Sequence, residues 1–152
     1  TPTSSGTFNY TVTLTGGCGT VTSTGSILVN PNNTLALSSA AGTNAQTICI
    51  NSAITNIAYS TVGASNASVS GLPDGVTGVW SNNVVTISGT ATTAGNYTYT
   101  VSLSGGCGTT SLSGTILVKA TNTITLTSAA NTDVQSACKN ANIVSIELTS
   151  YI

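Results

Sequence analysis

Four cysteines are the most reactive side chains in this sequence, and they stand in two kinds of setting. Cys18 and Cys107 each sit in a Gly-Gly-Cys-Gly run, whereas Cys49 and Cys138 each follow a glutamine by three places. A thiol can cross-link, hold a metal or act as a nucleophile, and its neighbours decide which. A tetrahedral zinc site draws four ligands together, yet there is no Cys-x-x-Cys pair and no His. Nucleophilic or acid-base catalysis needs a positioned base, and between residues 32 and 119 the only carboxylate is Asp74. Asp74 lies in "LPDG", where a turn uses the side chain for backbone hydrogen bonds. One carboxylate makes neither a calcium cluster nor a glycosidase pair. The expectation is no enzyme, no catalytic residue, no metal and no cofactor. Trp80, the one indole, is the candidate ligand contact, able to stack on a sugar ring; packing in the strand after "GLPDG" is the competing role.

Composition narrows the partners. Charged residues make up 3% of the chain, against roughly 25% in ordinary domains, while Thr and Ser supply 51 of the 152 residues. A neutral polar surface offers no basic footprint for nucleic acid. No apolar run reaches the roughly 20 residues of a membrane-spanning helix, so membrane insertion is not expected. The first residues, "TPTSSGTFNY", have neither an initiator Met nor the pattern of a signal peptide, which reads as a slice from a longer polypeptide.

The elements that position these residues come from a repeat. "GTFNYTVTLTGGCGT" at 6–20 returns as "GNYTYTVSLSGGCGT" at 95–109, and pairing residues 1–63 with 90–152 at a period of 89 gives 28 identities. That period is too long for a solenoid unit and suits a small sandwich. The joint falls in "NPNN" at 30–33, because Pro31 cannot donate to a ladder. Residues 32–119 then form one complete repeat, 1–31 the last strands of a preceding one, and 120–152 the first strands of a following one. Within 32–119, Tyr97, Tyr99, Val101 and Leu103 alternate with polar residues, the period of a half-buried strand. "TSLSGTILV" at 110–118 returns beside it, "WSNNVVTISG" at 80–89 turns at Asn82 and Asn83, and "TLALS", "TICI" and "ITNIAYS" supply the first strands. The fold expected is all-β, an antiparallel sandwich of about seven strands repeated in tandem.

The run from 71 to 109, "GLPDGVTGVWSNNVVTISGTATTAGNYTYTVSLSGGCGT", together with "QTIC" near the start of the repeat, resembles the immunoglobulin-like repeats of large cell-surface adhesins of Bacteroidota. One departure is Ala91 after "SGT", where the family often has Pro and where the earlier copy keeps Pro2. The resemblance implies an immunoglobulin-like fold, export to the cell surface, and a structural or adhesive role in a stalk or filament. Its implied partners are neighbouring repeats, further copies in a filament, and a surface glycan. The alternative is a carbohydrate-binding accessory module of a secreted enzyme, working through Trp80.

In an oxidising compartment the cysteines cross-link. Either Cys49 bonds Cys107 inside one repeat, with Cys18 and Cys138 pairing to equivalents in neighbouring repeats, or the bonds run Cys18 to Cys49 and Cys107 to Cys138. The internal bond is the expected one; it would close a loop of about 58 residues and stabilise the repeat by about 4 kcal/mol. An isopeptide bond would need a Lys recurring with the period, and Lys119 is matched by Asn30 and Lys139 by Ile50. The N-x-[ST] sequons at Asn9, Asn32, Asn66 and Asn96 are incidental in so Thr-rich a chain.

Overall fold

Alternation of apolar with polar residues becomes strands, and glycine or asparagine runs become the turns between them. A computed structural model describes residues 1–151. Two long strands come first, β1 (Gly6–Gly17) and β2 (Gly19–Val29). A central group follows: β3 (Thr34–Leu37), β4 (Ala45–Cys49), β5 (Ile57–Val62), β6 (Asn66–Ser70), β7 (Val76–Ser81), β8 (Val84–Gly89), β9 (Gly95–Ser104) and β10 (Thr110–Lys119). Two short strands close the chain, β11 (Thr123–Leu126) and β12 (Leu148–Tyr151). Among the described residues there is no helix.

The central eight strands make two sheets. One has the order β3-β5-β8-β7 and is antiparallel throughout. The other has the order β4-β10-β9-β6, antiparallel except that β4 runs parallel to β10. With the first strand split into β3 and β4, this is the A-B-E-D sheet facing C-F-G of an immunoglobulin-like sandwich. The expected immunoglobulin-like sandwich is therefore the observed one, with all eight strands between Thr34 and Lys119; its expected tandem repetition is not seen, since the described residues hold one such sandwich.

The core forms where the inner faces meet. Ile57 and Tyr59 of β5 and Val85 and Ile87 of β8 pack against Tyr99 and Val101 of β9 and Ile116 and Val118 of β10. The Tyr59 and Tyr99 hydroxyls meet at 2.9 Å in the middle of it. These two strands, B and F, are the pair that antibody domains join by a disulfide; here two phenols bridge the sheets. Burial, and then the bond and electrostatic influence of Tyr59, push the Tyr99 hydroxyl far above its usual pKa. At the rim, Asn82 (φ 50) and Asn83 (φ 61) form the two-residue hairpin turn read from the sequence.

One strand escaped that reading. In β6, "NASVS", only Ala67 and Val69 have apolar side chains, too little alternation to declare itself; pairing with β9 from Asn66↔Ser104 to Ser70↔Thr100 makes it a strand.

The flanking hairpins share most of their pairing with the sandwich, β1–β2 adding a Gly17↔Gly19 rung after a register shift that β9–β10 lacks. Tyr10 lies opposite Gly25 as Tyr99 lies opposite Gly114, and Thr123 opposite Tyr151 as Thr34 opposite Val62. Gln46 donates to the carbonyls of Thr43 and Thr55, each at 2.7 Å, and accepts from the Thr55 amide at 2.8 Å. Gln135 makes the same three bonds, to Thr132 at 2.6 Å, to Val144 at 2.8 Å and from the Val144 amide at 2.7 Å. One sandwich is complete in this chain; its two neighbours are hairpins that repeat its pairing.

Candidate functional site

The features that could act lie at the two ends of the sandwich. At the entry pole the chain arrives through Asn32 and Asn33 and meets the β9–β10 turn. Two successive positive-φ glycines, Gly105 (φ 71) and Gly106 (φ 67), curl this turn, and Cys107 follows, bridged to Asn32. Asn33 fastens it. Its amide donates to the Cys107 carbonyl at 2.8 Å, and its Nδ2 donates to the carbonyls of Gly105 at 2.7 Å and Gly108 at 2.8 Å. The Thr110 hydroxyl donates to the Asn33 carbonyl at 3.0 Å. Asn33 is buried, and its Oδ1 has no partner.

At the exit pole β4 and β10 end side by side. Cys49 stands in register with Lys119, and the Ile50 amide donates to the Lys119 carbonyl at 2.8 Å. Cys49 is exposed and Cys107 half-buried, and both are free thiols. The whole of β10, ten residues, separates the two levels. At about 3.3 Å per residue that is about 30 Å, against a Cα separation of at most about 7 Å in a disulfide.

The expected internal bond between Cys49 and Cys107 is thus corrected. β4 lies parallel to the exit half of β10, a long-range pairing that spacing along the chain does not reveal. Cys18, at the β1–β2 tip between Gly17 and Gly19, and Cys138, in the segment between β11 and β12, are also exposed and free. None of the four cysteines is brought to another.

Trp80 lies on β7, an edge strand of its sheet. Its ring is half-buried against the core, and its Nε1 donates to the Thr61 hydroxyl at 3.1 Å, which donates on to the Asn83 carbonyl at 3.0 Å. The indole's only polar group is therefore spent inside the fold. Asp74 is a turn residue: its carboxylate accepts from the Thr93 hydroxyl at 3.0 Å, and its carbonyl from the Thr92 amide at 2.9 Å. Among the described residues no three His, Cys, Asp or Glu side chains gather where they could hold a metal ion. Among the described residues no helix is long and apolar enough to cross a membrane. A shallow concavity at the foot of the β1–β2 hairpin is lined by Pro2, Val29, Pro31 and Asn32 among Ser and Thr, without a titratable side chain.

Asn33 is the residue that sequence reasoning missed. The signal was present: Asn33 recurs as Asn122 although residues 30–32 and 119–121 all differ.

No family model matches the chain, and no curated protein matches it. Among solved structures it is similar to a chimeric titin Z1Z2 carrying an exogenous peptide from decorin, with 18% identity, 62% of this chain and 100% of that one covered, and a TM-score of 0.46. The titin domains Z1Z2 in complex with telethonin share 14% identity over 76% of this chain and 62% of that one, with a TM-score of 0.48. Domains 4–9 of the surface layer protein SbsC share 18% identity over 99% of this chain and 24% of that one, with a TM-score of 0.45. These scores are modest, and the immunoglobulin-like assignment rests on the strand order.

Proposed function

We propose that residues 32–119 are one bead of an extracellular tandem array, a non-catalytic structural repeat that builds a stalk or filament for adhesion at the cell surface. The observation that carries this reading is the placement of entry and exit. The chain enters beside Cys107 and leaves beside Cys49, at opposite ends of β10, so successive beads add their lengths. A strand of ten residues spans about 33 Å, so each bead adds about 3 nm of reach. The recurrence of both end hairpins in the registers of the sandwich supports a continuing array. The neutral Thr- and Ser-rich surface and the resemblance to adhesin repeats support a place outside the cell.

Lateral association of beads into a filament belongs to the same reading. The edge strand β7 exposes Val79 and carries no Lys to discourage strand addition. A sugar-binding role for Trp80 has less behind it, because the indole donates its N–H inward to Thr61. The reading is tested with chains of one, two and three repeats. Small-angle scattering is expected to show a maximum dimension that grows by a constant increment of about 3–4 nm per repeat, and compact particles at every length would sink the array. Sedimentation at high concentration is expected to show association, and strictly monomeric behaviour would remove the filament.

A further inference from the structure

We infer that each joint of the array is locked by one disulfide, between the β4 cysteine of one repeat and the β9–β10-turn cysteine of the repeat that follows. Cys49 then pairs forward with the next repeat's equivalent of Cys107, and Cys107 pairs backward with the preceding repeat's equivalent of Cys49. The inference rests on the tandem reading above.

The geometry comes from shifting the observed ladders by one period. Cys49 lies beside Lys119, the last residue of β10. Because β1–β2 repeats β9–β10 in register, a preceding repeat's β4 laid against β2 would set its cysteine beside Asn30, the residue that matches Lys119. Cys107 is bridged to Asn32. The two thiols would flank the same extended linker two residues apart. Along the linker the levels of the two cysteines are then about 6.6 Å apart, against about 30 Å for Cys49 and Cys107 of one bead.

A second observation fixes the turn at that place. Asn33 holds the turn through Gly105, Cys107 and Gly108, and its match Asn122 stands exposed just after the exit pole. Asn122 is placed to hold the next repeat's turn three residues beyond Lys119. The other pairings fail on length: Cys49 and Cys107 of one bead lie about 30 Å apart, and Cys18 to Cys49 spans a hairpin as well as a sandwich.

Closing the bond takes two thiols and a disulfide oxidant. Each thiol gives up its proton, the two sulfurs join, and two electrons reduce the oxidant's disulfide to two thiols.

The test uses the full chain lengthened by one repeat, with a second copy of residues 34–152 following Asn122, so that the natural joint leads into a complete second sandwich. After incubation with oxidised glutathione, a non-reducing peptide map is expected to show the first copy's Cys49 joined to the second copy's Cys107, with two fewer free thiols than the reduced chain. Cys49→Ser in the first copy should abolish that peptide, and Cys18→Ser should leave it. Small-angle scattering on the same sample reports whether two sandwiches stand in line. If they do and Cys49 is free, or joined to any other thiol, the cross-joint bond is wrong and the bead reading survives. If they do not stand in line, both fall.

Discussion

Tyr10 and Tyr99 occupy the same rung of the same hairpin, one period apart, each opposite a glycine; Tyr10 is 50% exposed and Tyr99 is 0% exposed. Their neighbours follow suit. Val12, Leu14 and Ile27 of the first hairpin are exposed, while Val101, Leu103 and Ile116 of the second are buried. Strand pairing is therefore a local product of alternation and turn chemistry, and it survives without a core. Burial is not local: it needs the facing sheet, which only residues 34–89 supply. The apolar stripe of the first hairpin is a core face without the sheet that covers its copy.

The sharpest way to break this comparison is to cut the same atoms from both copies. Tyr99→Ala should cost about 3–5 kcal/mol in chemical denaturation of the sandwich, the usual loss for a buried aromatic, and Tyr10→Ala less than about 0.5 kcal/mol. Equal effects would mean that the first hairpin is part of the cooperative core.

Adding an atom comes next. A Cβ at Gly114 would press on the Tyr99 phenol and on the Asn44 carbonyl, which is backbone and cannot swing away; at Gly25 it would meet only the exposed Tyr10 ring. Gly114→Ala should cost about 1–3 kcal/mol by overpacking, with Gly25→Ala within about 0.5 kcal/mol of the parent.

The smallest effect concerns the phenol pair. Tyr99→Phe leaves the buried Tyr59 hydroxyl without its partner and should cost about 1–2 kcal/mol, whereas adding Tyr59→Phe should return much of that, since both polar groups are then gone. Tyr99 also sets an alkaline limit. Tyr99 holds its proton more tightly folded than unfolded, so stability is intact below about pH 10, where an unfolded tyrosine titrates, and falls as pH rises beyond it. Denaturation followed from pH 8 to pH 12 should show that fall in the parent and a weaker one in Tyr99→Phe. An unchanged profile would place the titrating group elsewhere.

Legibility in the sequence follows the same division between local and distant causes. β9, β10 and the Asn82–Asn83 turn declared themselves through alternation and through residues that accept positive φ. β4 shows the limit. Its copy, residues 134–138, keeps the glutamine and the cysteine yet forms no strand, because β4 exists by pairing with β10 and no such strand lies beside the copy. The cysteines stand out in the sequence, but not their distance apart, since the parallel alignment of β4 with β10 joins residues about 70 positions apart and sets Cys49 at the pole opposite Cys107. Asn33 was hidden for another reason: an asparagine in a linker reads as a turn residue until the turn it holds comes into view.

The parallel pairing of β4 with β10 has a mechanical side. A pull on the two ends of the sandwich draws its start one way and the end of β10 the other. Its five rungs, Thr115↔Ala45 to Lys119↔Cys49, lie across that line. Traction loads them together in shear instead of opening them one after another like a zip, so the rupture force is shared among all five. A sandwich built this way resists tension with the weakest bonds it has, by asking them to break at the same moment.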